Sequence, residues 1–178
     1  MERATWPQLA VGDAFDIVAA NKAVRALWGI RSVEQERTRR GAMAMNIFAF
    51  MARRDLVRHI TNWDEVVEAI ASYVKGRPVV PEGEDEDTVL GEMFLAPFSD
   101  RDARFLDRTQ AAWRRAKPLA PKVRWSYPVE WRVLRGSTIR FHGFVSPANE
   151  HDGLVFNDWI PVDTESWRRL QNAISPKN

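Results

Sequence analysis

The C-terminal third of the chain constrains the fold most, because it contains three segments with the composition of β-strands. VRWSYPVEWRVLRG, STIRFHGFVSP and GLVFNDWIPV are rich in β-branched and aromatic residues, with turn residues between them. Consecutive strands with short links predict an antiparallel meander. Pro128 lies inside the first segment and has no amide hydrogen to donate. We therefore expect that strand at an edge of the sheet, or bulged at this point.

The second β-rich segment predicts how its side chains divide between the two faces of the sheet. Successive side chains of a strand point to opposite faces. One face should therefore carry Ile139, Phe141 and Gly143, and the other Arg140, His142 and Phe144.

The stretch FDIVAANKAVRALWG, residues 15–29, changes its period in the middle. Alternation from Phe15 predicts a strand, and apolar residues at helical spacing follow from Asn21 onward. Asn21 can cap the helix N-terminus, and Gly29 can end the helix in a left-handed conformation. Without a glycine-rich turn the junction is not a nucleotide site. We interpret it as structural, turning the chain from a strand that joins the meander's sheet into a helical cover.

The middle of the chain reads as helical. TNWDEVVEAIASYVKGRP has the clearest pattern: Asn62 and Glu65 have capping-box spacing, Trp63 belongs to an apolar stripe, and Gly76 marks the end. Polar residues 31–41 are interpreted as a solvated connection and acidic residues 78–87 as a loop. Further helices are predicted near residues 43–51, at 56–60 after an Asp55 cap, at 88–98, at 101–117 and at 164–174 after an Asp163 cap.

The bulk composition sets the class of protein. The chain has 178 residues, which we expect to form one domain over residues 1–178. Cysteine is absent, so thiol nucleophiles, disulfides and cysteine metal sites are excluded. A formal charge of +2 is too small to argue for nucleic-acid binding by itself. The sequence lacks an apolar run long enough to span a bilayer and a signal peptide, which predicts a cytoplasmic protein without membrane contact.

The order of elements, an α+β arrangement with an antiparallel sheet covered by a helical layer, resembles the PAS-like sensor fold. Three stretches, FDIVAANKAVRALWG, NIFAFMARRDLVRHITNWDEVVEAI and FNDWIPVDTESWRRL, are similar to the MmyB-like ligand-binding domains of bacterial transcription regulators. Asn21, Asn46 and the Trp63–Asp64 pair are the most specific points of the resemblance. The family usually has an arginine directly before the second asparagine, where this chain has Met45.

The resemblance implies a sensory domain that binds an apolar, fatty-acid-like molecule and regulates transcription. The family also has an N-terminal helix-turn-helix domain, for which we find no candidate before Phe15. We therefore expect contact with DNA only through a separate or missing helix-turn-helix domain, in a longer regulator or in a partner. A homodimer is a further expected assembly.

The expected ligand site is a cavity between sheet and helices. A large aromatic core is the competing interpretation of the same apolar residues. Arg53 and Arg54 adjoin the apolar helix near residue 47 and are predicted to hold an acid head group. The apolar residues predicted to line the cavity are Ile47, Phe50, Met51, Phe94, Trp113, Trp131 and Phe141.

Two alternative functions use the same residues. The exposed aromatic residues could form a protein–protein or dimerisation surface, or the cavity could belong to a small enzyme. An enzyme would depend on His59, His142 or His151, the only histidines, and none lies in a motif with an attached mechanism. We predict no catalysis, no metal site and no cofactor. His59 is interpreted as a helix-end histidine near the last carbonyls.

Overall fold

A computed structural model describes residues 3–12, 15–41, 45–47, 53–76, 103–119, 124–133, 136–148 and 154–175. The fold is α+β, as predicted. The chain forms two compact units, here named the sheet unit, Met1–Thr61 with Arg124–Asn178, and the helical unit, Asn62–Val123. The organisation as a single domain stays a prediction. Within the described ranges, no helix has the length and hydropathy needed to cross a bilayer.

The strands are β1 (Gln8–Val11), β2 (Ile17–Ala20), β3 (Trp125–Arg132), β4 (Thr138–Pro147) and β5 (Val155–Pro161). They form one sheet in the order β2-β1-β5-β4-β3, with every pair of neighbours antiparallel. The predicted meander is β3-β4-β5. The helices of the described residues are α1 (Lys22–Trp28), α2 (Val33–Arg40), α3 (Arg54–Val57), α4 (Trp63–Lys75), α5 (Ala103–Arg115) and α6 (Thr164–Ile174).

The N-terminal end of the sheet differs from the prediction in two ways. β1 was not predicted, and it lies between the predicted N-terminal strand and the meander. Its short QLAV sequence does not alternate, because three of its four residues are buried in the interior of the sheet. The next strand begins at Ile17 and not at Phe15, because Phe15 has a φ of 60° and cannot be extended.

Asn21 performs the structural role predicted for it and a second one besides. Its Oδ1 accepts from the amide of Val24 at 3.0 Å, which caps α1, and from the amide of Gln8 at 3.2 Å. Its Nδ2 donates to the carbonyl of Trp6 at 2.8 Å. Gly29 ends α1 with a φ of 65°, as predicted. One buried amide therefore holds both the helix and the incoming chain before β1.

One face of the sheet is an aromatic core. Ile139, Phe141 and Gly143 are buried and the opposite set on β4 is exposed, so the predicted division of β4 is confirmed. Trp159 of β5 lies at the centre of this face. Its ring centroid is 5.9 Å from that of Trp131, 5.9 Å from that of Phe141 and 6.1 Å from that of Trp28. Because Trp28 belongs to α1, this helix covers the face.

Gly143 makes room for a buried hydrogen-bond network on the same face. A Cβ at this position would lie 2.7 Å from the ring of Tyr127 across the strand pair. The Tyr127 hydroxyl donates to Oδ1 of Asn157 at 3.1 Å and accepts from its Nδ2 at 2.8 Å and from Nε1 of Trp159 at 3.3 Å. Burial raises the pKa of Tyr127, because the phenolate would lose its hydration.

β3 is an edge strand, as Pro128 predicted, and its edge is protected. Next to it the chain forms a bridge between Ile60 and Trp131. The Thr61 amide donates to the carbonyl of Glu130 at 2.9 Å. Pro128 is two positions from Glu130, so its backbone nitrogen lies on the same outer edge of β3, and it has no amide hydrogen to donate there. These features block addition of another strand.

The polar stretch at residues 31–41 was predicted as a connection, but it contains α2. Ser32 caps this helix by accepting from the amide of Gln35 at 3.0 Å, the Ser-x-x-Gln spacing of a capping box. The buried Glu36 carboxylate pairs with Arg39 at 3.0 Å, Arg40 at 3.1 Å and the buried Arg53 at 3.4 Å. α2 buries only Val33 and Glu36, so it has no apolar stripe and apolar periodicity could not find it.

In the helical unit, α4 and α5 pack against each other. Exposed ion pairs join Arg108 to Asp64 at 2.9 Å and Arg115 to Glu68 at 2.8 Å. At Gly76 a Cβ would lie 1.9 Å from the carbonyl oxygen of Leu119, so only glycine fits. α4 runs from Trp63 to Lys75 as predicted.

Two predicted helix caps differ from the structure. Asn62 makes no capping hydrogen bond with its side chain, and its Nδ2 instead donates to Oε2 of Glu65 at 3.1 Å. Asp55 lies inside α3, which follows Arg53. The acidic loop at 78–87, the helix predicted at 88–98 and most of the one predicted at 43–51 fall outside the described residues.

Candidate ligand-binding groove

The sheet unit contains an open groove of about 600 Å³. One wall comes from α1, the other from α6, and the ends of β3 and β4 lie between them. His59 adds a side chain from the segment after α3. The lining residues are Ala26, Leu27, His59, Trp131, Val133, Ser137, Glu165, Arg168, Arg169, Asn172, Ala173 and Ser175.

α6 positions the charged side chains of the groove. Asp163 caps the helix, as predicted, by accepting from the amide of Ser166 at 2.7 Å. The amide and hydroxyl of Ser166 lower the pKa of Asp163, and Arg140 adds to the effect. The Ser166 hydroxyl also accepts from the amide of Arg140 at 3.1 Å, which ties the start of α6 to β4. The first turn of the helix is therefore anchored to the sheet.

Glu165 organises two arginines on the groove wall. Its Oε1 accepts from Arg168 Nη2 at 2.6 Å and from Arg169 Nε at 2.8 Å, and its Oε2 accepts from Arg168 Nε at 2.8 Å. These bonds lower the pKa of Glu165 to about 2, Arg168 being the larger cause, and raise the pKa of Arg168. Arg169 also donates to the carbonyl of Thr138 at 2.5 Å. All three groups are charged near neutral pH, which gives this wall a net charge of +1.

His59 is held in one orientation on the sheet side of the groove. Its Nδ1 lies 2.6 Å from the carbonyl oxygen of Arg132, and its ring stacks on Trp131 at 5.1 Å between centroids and 8° between planes. His59 follows the end of α3, as predicted, but the carbonyl that its ring contacts belongs to β3 and not to the last turn of the helix. No sequence pattern indicates a contact between residues 73 positions apart.

The groove is therefore amphipathic. Ala26, Leu27, Val133 and Ala173 supply apolar surface, and α6 supplies the charged side. An arginine fork suits a carboxylate, because two parallel hydrogen bonds can form with it. The arrangement can accommodate an apolar chain with an acidic head group.

Of the predicted cavity residues that the structure describes, only Trp131 lines this groove. Phe141 is buried beside Trp159, and the half-buried Ile47 donates its amide to the carbonyl of Phe15 at 2.8 Å. Trp113 is buried in the helical unit, with Lys75 Nζ 4.8 Å from its ring centroid. Phe50, Met51, Phe94 and the side chain of Arg54 lie outside the described residues. A cavity lined by the whole predicted set stays a prediction.

Arg53 was predicted to hold an acid head group, and its guanidinium is buried against Glu36. The sequence did not indicate Glu165 or Arg168 as site residues. A signal was available, since Glu165 precedes Arg168 by three positions and Arg169 by four, which places both arginines beside it on one helix face. Such pairs are common on solvated helices, so the spacing alone does not indicate a site.

Among the described residues, no group of three His, Asp or Glu side chains lies close enough to hold a metal ion. His142 is exposed on β4, with its ring 5.6 Å from that of Phe144. His151 falls outside the described ranges. Comparison with known proteins gives no family: neither a protein-family model nor a curated protein matches this sequence.

Proposed function

We propose that this protein is a PAS-like sensory domain that binds a small apolar carboxylic acid in the groove between α1 and α6. The observation that carries the proposal is the joint presence of apolar surface and a cationic wall in a groove of about 600 Å³. Pockets for ligands of this kind occupy roughly 300–1,000 Å³ and combine an apolar lining with a few polar groups. A fatty-acid-like molecule matches both requirements.

The charge of the groove supports an anionic head group. Glu165 uses both of its oxygens on the arginines, yet it neutralises only one of their two positive charges. Arg168 is 63% exposed, so an incoming carboxylate can reach its guanidinium without unfolding the helix. A ligand carboxylate would supply the missing negative charge.

The regulatory part of the proposal rests on the resemblance to the MmyB-like domains. Three of the four residues that carry that resemblance, Asn21, Asn46 and Trp63, are buried, so they support a shared scaffold more than a shared ligand contact. The fourth, Asp64, is exposed and pairs with Arg108. The proposed protein acts in the cytoplasm, binds without catalysis, and reaches DNA through a separate helix-turn-helix domain.

Calorimetric titration with decanoate and with decanol at pH 7 tests the proposal. We expect saturable binding of decanoate and weaker binding of decanol, because only the acid pairs with the cationic wall. Arg168→Ala should weaken decanoate binding roughly two- to tenfold. Glu165→Gln should strengthen it, because the substitution removes the competing negative charge and keeps an acceptor for the arginines.

The matched control is Arg115→Ala in the helical unit. Arg115 is also exposed and paired to a glutamate on a helix, at 2.8 Å, but it does not line the groove. Decanoate binding should therefore be unchanged in this variant. Equal affinities for decanoate and decanol, equal losses in the two arginine variants, or no saturable binding would each contradict the proposal.

A further inference from the structure

We infer that the ligand carries, besides its carboxylate, a hydrogen-bond donor along its chain, a hydroxyl or an amide N–H, which binds Nε2 of His59. This inference rests on the proposed function, because it concerns the same groove. It narrows the ligand class from simple fatty acids to hydroxylated or N-acylated acids.

The hydrogen bond to Arg132 decides the tautomer of His59. A backbone carbonyl can only accept, so Nδ1, 2.6 Å from that oxygen, carries the hydrogen and donates it. In the neutral imidazole the other nitrogen then has a lone pair. His59 therefore offers an acceptor at Nε2, on the ring edge away from the carbonyl.

The position of this acceptor is fixed before any ligand arrives. The ring of His59 stacks on Trp131, and the backbone carbonyl of His59 accepts from the amide of Arg132 at 2.6 Å. The following bond from Thr61 to Glu130, at 2.9 Å, holds the rest of the segment against β3. A preorganised acceptor adds affinity, because binding does not have to order the side chain.

The arginines of the groove cannot replace this acceptor, because the guanidiniums of Arg168 and Arg169 only donate. Glu165 already accepts three hydrogen bonds from them, so most of its acceptor capacity is used. Nε2 of His59 has no partner among the described residues. A purely apolar chain next to Nε2 would displace its hydrogen-bonded water without replacing that hydrogen bond. A hydroxyl or amide N–H on the ligand would replace it.

Matched pairs of acids test the inference by calorimetry at pH 8, with decanoate as the reference. The first pair is N-decanoylglycine and N-decanoylsarcosine, in which a methyl group replaces the amide hydrogen. The second compares 2-, 3- and 10-hydroxydecanoate with their methoxy ethers. We expect at least one donor-bearing acid to bind roughly 2- to 12-fold more tightly than its capped partner.

Two substitutions assign the preference to Nε2. His59→Asn keeps a donor near the Nδ1 position and removes Nε2, so it should abolish the preference while decanoate still binds. His59→Gln keeps a polar atom near Nε2 and should retain part of the preference. If the asparagine variant does not fold, NMR of the unsubstituted protein still tests the inference. The ¹⁵N chemical shift of His59 Nε2 should change on binding of the donor-bearing acid and not on binding of its capped partner.

The outcomes separate the two proposals. Binding of decanoate without a preference within any pair would overturn the inference and leave the proposed function standing. A preference that persists in His59→Asn, or a Nε2 shift that does not respond, would also overturn it. Failure of every acid to bind would overturn the proposed function and this inference together.

Discussion

In the sheet unit, Trp6 Nε1 donates to Asp158 across 152 residues, whereas the ion pairs of the helical unit join residues 44 and 47 positions apart. The polar contacts differ in burial as well. Tyr127, Asn157 and Trp159 bond to one another inside the sheet unit, while Arg108 and Asp64 pair on the surface of the helical unit. Exposed pairs tolerate the loss of one partner, because water replaces it, but a buried group does not.

The two units should therefore differ in which substitutions lower their stability. Both units depend on large buried aromatic rings, so they should respond similarly when such a ring is removed. They should respond differently when a polar partner is removed. Three sets of substitutions, in decreasing order of effect, test this comparison.

The largest expected effect is common to both units. Trp63 in α4 and Trp131 in β3 are each 2% exposed. Replacing either by alanine should lower the free energy of unfolding by about 3–5 kcal/mol, the usual range for a buried tryptophan. Urea unfolding of the two variants measures it.

Phe144→Ala is the control for this prediction. Its side chain is 39% exposed on the outer face of the sheet, so the variant should unfold within about 0.5 kcal/mol of the parent. If Trp63→Ala unfolds like the parent while a binding activity disappears, Trp63 is an exposed recognition residue, and its assignment to the core is wrong.

The second prediction removes a buried polar partner from the sheet unit. Tyr127→Phe leaves the buried amide of Asn157 and Nε1 of Trp159 without the hydroxyl that they contact, which should cost about 1–3 kcal/mol of unfolding free energy. Adding Asn157→Leu should recover part of that loss, because the unpaired amide is then removed as well, while Nε1 of Trp159 still lacks its acceptor. A double variant that is less stable than Tyr127→Phe alone would contradict this explanation.

The raised pKa of Tyr127 gives the same network a dependence on pH. Folding keeps this phenol protonated, whereas in the unfolded chain it ionises near its ordinary pKa of 10.0. The unfolded state therefore binds fewer protons above that pH, and the stability of the parent should fall as the pH rises past it. Tyr127→Phe should lack this part of the decrease, so the two curves of unfolding free energy against pH converge.

The smallest effect is expected at an exposed pair of the helical unit. Arg115 is 52% exposed and Glu68 38% exposed, so Arg115→Ala should change the free energy of unfolding by at most about 1 kcal/mol. The small difference should shrink further at 1 M salt, which screens exposed charges. A loss as large as that of Tyr127→Phe would remove the contrast between the two units.

Much of the scaffold could be predicted because its signals are local. Asn21 and Gly29 bracket α1, Asp163 opens α6, and the apolar stripe after Asn62 marks α4. β1 and α2 were missed because neither has the expected period: β1 is buried on both faces, and α2 buries only Val33 and Glu36.

The candidate site was much less predictable than the scaffold. The sequence indicated Arg53 for an acid head group, since that residue follows an apolar helix, and the fold buries it against Glu36. The groove instead uses Arg168 and Arg169, which sequence analysis could only describe as one of several arginine pairs. Which pair of arginines faces a groove depends on the packing of α6, and spacing along the chain does not report it.

The amino-acid sequence by itself determined the α+β class, the meander, the caps of α1 and α6, and the edge position of β3, because each follows from a pattern within a few residues. Only the tertiary structure decided that His59 meets Arg132 and Trp131 and that β1 separates β2 from β5. The physical reason is the same in both cases. Contacts between residues tens of positions apart form when buried surfaces fit together, and no local propensity specifies which surfaces those are.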